Sequence, residues 1–154
     1  MSPELGPEFR LAVPADAVTL IPFMREYYEY DGHAWHEDHA REALLGLLND
    51  PQYGFAWLIL DANTPVGYVV LTFGYSLEFL GRDAFIDELF LLPAYRGRGW
   101  GTKTLEFLEG QARANQVRAI HLEVVRGNEA AGALYRKCSY IDHDHRLMTK
   151  RLPR

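Results

Sequence analysis

An apolar run at residues 84–92 meets Pro93 and then Arg96-Gly97-Arg98-Gly99-Trp100-Gly101, after which residues 102–114 repeat their apolar positions with a helical period. Few backbones accommodate that order. A strand must end, a turn must follow whose glycines reach conformations closed to other residues, and a helix must start at once. Such a junction can hold an anion. The backbone can approach a ligand closely, and the first N–H groups of the helix, at its positive dipole end, have no partner of their own. Arg96 and Arg98 add positive charge.

Three phosphate-binding patterns compete for this junction. A Walker A loop ends in Gly-Lys-Ser/Thr, whereas Gly101 is followed by Thr102 and Lys103. A dinucleotide fingerprint spaces its glycines G-x-G-x-x-G within a first βαβ unit. Here the spacing is Gly97-x-Gly99-x-Gly101, deep in the chain and after a hairpin. The third pattern, Arg/Gln-x-x-Gly-x-Gly/Ala, is matched by Arg96, Gly99 and Gly101. A formal net charge of −5 argues against a nucleic-acid partner held by bulk charge. No apolar run is long enough to span a bilayer, so no membrane partner is expected. The single cysteine, Cys138, can form no internal disulfide, which fits a reducing, cytoplasmic compartment.

A chain of 154 residues suits one domain. Residues 1–8 hold two prolines and no periodicity, and read as a leader outside a domain at 9–154. A short strand is expected at 9–13. Residues 16–30 read as a helix with Val18, Ile21, Met24 and Tyr28 on one stripe and a kink or restart at Pro22. Residues 36–49 read as a second helix, stopped by Asp50-Pro51. Residues 55–60 and 66–75 read as a hairpin around Asp61-Ala62-Asn63-Thr64-Pro65, with 84–92 the next strand. Beyond the junction helix, 119–125 alternates as a strand, 129–138 is helical and 146–152 is a last strand. The order β-αα-βββ-α-β-α-β describes an α/β domain, a central mixed and mostly antiparallel sheet flanked by helices.

Three stretches carry a family resemblance: Phe90-Leu91-Leu92-Pro93-Ala94-Tyr95-Arg96-Gly97, Asn128-Glu129-Ala130-Ala131-Gly132-Ala133-Leu134-Tyr135, and Leu147-Met148-Thr149-Lys150-Arg151-Leu152. Together they resemble the GNAT superfamily of N-acetyltransferases. The resemblance covers about residues 9–152 and is strongest over 86–140. Members usually carry Gly after the Asn…Tyr helix, where this chain has Cys138-Ser139-Tyr140, a departure that bears on the helix C-cap. The resemblance implies acetyl-CoA as cofactor, a primary amine as acceptor, and direct transfer without a covalent enzyme intermediate. It places Arg96, Gly97, Arg98, Gly99, Trp100, Gly101 and Thr102 around the cofactor's pyrophosphate, and Phe90 and Leu91 along its pantetheine arm. It adds Asn128 and Ala131 to the cofactor set. Dimers are common among members, so the resemblance extends to a homodimer.

Acetyl transfer to an amine needs a placed cofactor, a neutral amine, a site for the developing oxyanion and a proton for the departing thiolate. On a helix, Asn128, Ala131 and Tyr135 fall within about 60° of one another, so one face carries an amide, a small residue and a phenol. A phenol with an ordinary pKa of about 10 suits a thiolate leaving group and makes Tyr135 the candidate acid. Asn128 serves equally as an N-cap. Asp87 and Glu88 interrupt an apolar strand, where a carboxylate is costly unless paired or functional. Either can take the amine's proton, and strand alternation lets at most one of them face the acceptor. Resemblance to diamine-type members favours Asp87.

The family places the acceptor between the first two helices and the long hairpin. Tyr27, Tyr28, Tyr30, Asp31 and Trp35 lie in the first region, and Phe73, Tyr75, Glu78 and Phe79 in the second. Tyr28, Asp31, Tyr75 and Glu78 are the candidate contacts, since aromatics with carboxylates suit a small cationic amine. His33, His36 and His39 straddle a helix start and are not read as metal ligands. Cys138 shares a helix side with Leu134 and reads as a core thiol. Two rival readings stand beside the small-amine enzyme: a non-catalytic acyl-CoA-binding or regulatory domain, and an acetyltransferase of protein N-termini or lysines.

Overall fold

Ala62 and Asn63 take positive φ, 45° and 71°, and close a two-residue hairpin between β2 (Gly54–Asp61) and β3 (Thr64–Ser76). In this computed structural model, residues 5–154 are described; residues 1–4, the first half of the expected leader, lie outside the described residues. β1 (Glu8–Leu11) pairs antiparallel with β2, so the first strand starts one residue before the expected boundary. β4 (Gly81–Leu91) pairs antiparallel with β3, and β5 (Ala119–His121) parallel with β4. The sheet has the order β1-β2-β3-β4-β5 and is mixed and mostly antiparallel, as expected. Gly67 lets β3 and β4 close up, since a Cβ there would stand 2.2 Å from the Phe90 carbonyl oxygen.

Alternation along the strands gives each face its own helices. α1 (Ala17–Tyr30) and α2 (Glu37–Asn49) cover one face, where Leu20, Met24 and Leu44 pack on Leu58, Tyr68, Val70 and Phe90. Each such apolar side chain contributes about 1.5–3 kcal/mol on burial. α3 (Trp100–Ala114) covers the other face. There Trp100 is buried with Ile59, Val66 and Leu91, and Phe107 meets Trp57 edge-on at 5.4 Å. Pro22 lies inside α1 without ending it. Its missing N–H would leave the Val18 carbonyl unbonded, but Val18 is 77% exposed, so water can satisfy that group.

The chain divides into two compact units, one running to Glu123 and the other Val124–Arg154. The strand expected at 119–125 shortens to Ala119–His121. Residues 146–152, expected as a last strand, join no ladder among the described residues; Leu147 and Met148 are 70% and 92% exposed. Strand propensity reflects the fit to a half-buried, paired surface, and without one it does not hold a strand.

In the second unit, α4 (Glu129–Lys137) is capped at both ends. Asn128 Oδ1 accepts the Ala131 N–H at 3.2 Å. At the other end, the Tyr140 N–H donates to the Tyr135 carbonyl and the Ser139 N–H to the Arg136 carbonyl, both at 3.0 Å, while the Tyr135 and Tyr140 rings lie 6.0 Å apart. This is a Schellman closure, which needs a left-handed residue. Ser139 supplies it at φ 70°, within the stretch Cys138-Ser139-Tyr140 where members of the resembled family usually carry Gly. A side chain in that conformation costs about 1–2 kcal/mol. Ser139→Gly should therefore raise stability by about 1 kcal/mol, read as a higher urea midpoint at unchanged slope. An unchanged or lower midpoint would mean that Ser139 is unstrained.

Candidate functional site

β4 carries an irregular register. Val70 opposes Glu88 and Leu71 opposes Ile86, which leaves Asp87 as an extra residue, a β-bulge. The bulge breaks the alternation that would send neighbouring side chains to opposite faces. Asp87 and Glu88 therefore line the same cavity, of about 360 Å³, rather than only one of them facing it. α1 contributes Leu20, Met24 and Tyr28 to its wall, α2 contributes Leu44 and Leu47, and the sheet contributes Ala56, Tyr68, Val70 and Thr72.

Glu88 is only 9% exposed. Its Oε1 accepts from the Tyr68 hydroxyl at 2.7 Å and its Oε2 from the Tyr28 hydroxyl at 2.8 Å. Burial holds its carboxyl above the usual range; the two phenols and the nearby His33 pull it down, and the charge of Asp87 pushes it further up. Asp87 reaches solvent, yet the protein around it also raises its carboxyl, and no hydrogen bond occupies that carboxylate among the described residues. Tyr28 and Tyr68 are pushed well up, first by burial and then by the Glu88 charge. Tyr68 escapes a reading of the sequence for polar interruptions. Its alternation with Val70 and Thr72, which sets all three on one face, is the signal that finds it.

Of the expected acceptor contacts, Tyr28 is at the cavity. Asp31 stands at the C-terminal end of α1, beside Tyr27 and 3.9 Å from His33 Nε2. Tyr75 and Glu78 lie at the exposed tip of the β3–β4 hairpin, Tyr75 with 78% of its surface open, and neither lines the cavity.

At the glycine junction, Gly97 and Gly99 take φ 73° and 83°, and nothing lies within 4 Å of where a Cβ would be. Gly99 is the N-cap of α3, and no side chain caps that end; its carbonyl accepts the Lys103 N–H at 3.2 Å. The amides of Trp100, Gly101 and Thr102 thus begin a helix whose approach the glycines leave open, which fits a pyrophosphate. Arg96 acts differently from a mobile charge. Its Nε donates to the Leu91 carbonyl at 2.9 Å, and its guanidinium stands 5.4 Å from the Tyr30 ring centre and 5.8 Å from that of Phe90, so it clamps the turn to β4. Arg98 lies 5.0 Å over Tyr95 and 5.5 Å over Trp100. The Trp100 ring is buried, which leaves its backbone N–H as the group a ligand can meet.

β4 and β5 pair only at Asp83–Ala119, Ala84–Ile120 and Phe85–His121. Beyond Phe85, this edge of β4 has no ladder partner among the described residues. Phe90 and Leu91 lie on that open edge, where backbone groups can bond an extended ligand as an added strand would. The Leu91 carbonyl is already engaged by Arg96. In the second unit, Tyr135 is half-buried and Asn128 directs its side-chain oxygen to the Ala131 amide, as an N-cap.

The Acetyltransferase (GNAT) family matches residues 20–140. Thialysine N-epsilon-acetyltransferase of Bos taurus is 27% identical over 136 residues, covering 82% of this chain and 79% of that enzyme. The Mus musculus enzyme of the same name is 32% identical over 71 residues, covering 46% of this chain and 41% of its own. An integron cassette protein from the mobile metagenome of Cole Harbour Salt Marsh superposes with TM-score 0.83 at 31% identity, over 95% of this chain and 91% of that one. A predicted acetyltransferase from Clostridium acetobutylicum, solved with acetyl-CoA, shares the fold with TM-score 0.78 at 18% identity, over 94% and 96% of the two chains. The chain belongs to the GNAT family and is an acyltransferase of that type, with acetyl-CoA as its cofactor. No helix among the described residues is long and apolar enough to cross a membrane.

An acid whose pKa is raised by folding contributes stability that is full below its unfolded pKa and is lost as pH rises through the folded value. Asp87 is such a group. Asp87→Asn, close in shape and always neutral, should melt above the unsubstituted protein at pH 8. The gap should close as pH falls below the ordinary carboxyl value of 3.8. Coincident melting curves at pH 8 would remove the desolvation cost assigned to Asp87.

Proposed function

We propose that the chain transfers the acetyl group of acetyl-CoA directly to a small-molecule primary amine, with residues 9–154 acting as one acetyltransferase domain in a cytoplasmic setting. The observation that carries this reading is the bulge that turns both Asp87 and Glu88 into one cavity. A free amine with pKa near 10 arrives as an ammonium. Two carboxylates attract it, and one must then take its proton. Asp87 has that role, since its carboxylate is unencumbered and its raised pKa brings it nearer to the amine's. Glu88, fixed by Tyr28 and Tyr68, holds negative charge beside it.

When bound, acetyl-CoA supplies a thioester whose carbon–sulfur bond breaks as the bond from the amine nitrogen to the acetyl carbon forms. The amides of residues 97–102 hold its pyrophosphate, and the open edge at Phe90 and Leu91 holds its pantetheine arm. Asn128 and Ala131 belong to the same cofactor set. Tyr135 gives the leaving sulfur its proton, and the second proton that the nitrogen sheds as the amide forms restores the phenol. Support for Tyr135 is the resemblance of the stretch from Asn128 to Tyr135, together with the Schellman closure that fixes the helix end next to its ring.

Tyr135→Phe should lower kcat by about a hundredfold or more, with acetyl-CoA affinity by calorimetry nearly unchanged. Undiminished kcat would remove Tyr135 from the acid's role. Gly99→Asn tests the junction separately. Asn tolerates left-handed φ, so the fold should survive while its side chain enters the open space and weakens acetyl-CoA binding about tenfold or more. Equal affinity would place the pyrophosphate elsewhere.

A further inference from the structure

The cavity that receives Asp87 and Glu88 is charged at one end only. Apart from the hydroxyls of Tyr53 and Thr72, the rest of its wall is apolar: Leu20, Met24, Leu44, Leu47 and Val70, on α1, α2 and β3. Four of these are buried, Leu20 to 0% exposure and Val70 to 6%. No Lys, Arg or His is among the lining residues. The hydroxyls of Tyr28 and Tyr68 both donate to Glu88, so neither has a proton left for an anionic group on a ligand.

These features discriminate among amines. An acceptor bearing its own carboxylate or phosphate would find no cation and would face two like charges. A diamine would place its second ammonium against Leu44 and Leu47, with no acid to receive it. An apolar body gains from that wall at every methylene it buries, and about 360 Å³ admits far more than an ammonium group.

We infer that the acceptor is a primary monoamine on an apolar alkyl or arylalkyl body, its nitrogen at Asp87 and Glu88 and its body between α1 and α2. The inference rests on the acetyltransferase reading and deepens it to a substrate class.

The test is a series of straight-chain alkylamines from ethylamine to hexylamine, with 2-phenylethylamine, against lysine, thialysine and 1,4-diaminobutane. Acetyl transfer is followed as thiol release from acetyl-CoA, and binding of each amine to the coenzyme A-loaded enzyme is measured by calorimetry. Both kcat/KM and affinity should rise about fourfold per added methylene until the cavity is full. The three polar amines should fall about tenfold or more below hexylamine. Leu47→Glu, at a half-buried position, should move preference from hexylamine toward 1,4-diaminobutane.

Transfer that is flat with chain length, or a polar amine at or above hexylamine, would overturn the inference and leave the acetyltransferase reading standing. Acetyl-CoA bound but no transfer to any amine would overturn both. The calorimetric series on the unsubstituted enzyme decides the matter even if Leu47→Glu fails to fold.

Discussion

The buried carboxylate of Glu88 ties three elements together. Tyr28 reaches it from α1 and Tyr68 from β3, while Glu88 itself stands on β4. An unpaired charge at that depth would cost several kcal/mol, and each hydrogen bond to a charged group contributes about 1.5–3 kcal/mol. The three side chains therefore hold their places as a set. Because one of them belongs to a helix, the set fixes where α1 crosses the sheet and so fixes one wall of the cavity. The aromatic contacts of Tyr28 extend the anchor, with Trp35 edge-on at 5.4 Å.

The carboxylate beside it is useful because it is left out of this network. Asp87 lines the same cavity as Glu88, and its own charge adds to the upward push on that group. Yet it keeps its oxygens open to a ligand. One residue secures the site and its neighbour is left available to act. A regular strand could not place both in one cavity, and a single inserted residue in the register with β3 is enough to do so.

The glycine junction, proposed as the cofactor end, works on another principle. Arg96, which looks like a phosphate ligand, bonds the Leu91 carbonyl and leans on Tyr30 and Phe90. Its role in this structure is to hold the turn against the strand. Beside the exposed Arg98, the junction offers an anion its backbone: glycines in left-handed conformations and the uncapped start of α3. Rigid amides need no reordering when an anion arrives, whereas a long cationic side chain loses rotamer freedom.

Helices and strands that bury a stripe or a face are readable from period alone, which is why α1, α2, α3 and the β2–β3 hairpin lie close to where spacing puts them. The glycine junction is equally readable, since no other residue supplies its backbone. Residues 146–152 show the limit of that reading, because a strand needs a partner ladder and no local pattern states whether one is there. The same limit applies to Asp87. Its type and its neighbours are in the sequence, but its direction depends on how many residues of β4 lie opposite Val70 and Leu71. Tyr68 is likewise an ordinary strand residue until the partner across the sheet is known to be Glu88. The amino-acid order thus settled the class of fold and the glycine junction at the start of α3, both products of local stereochemistry and period. The shared cavity for two carboxylates, the phenols that hold one of them and the apolar wall facing them came from register and packing, which arise between segments far apart in the chain.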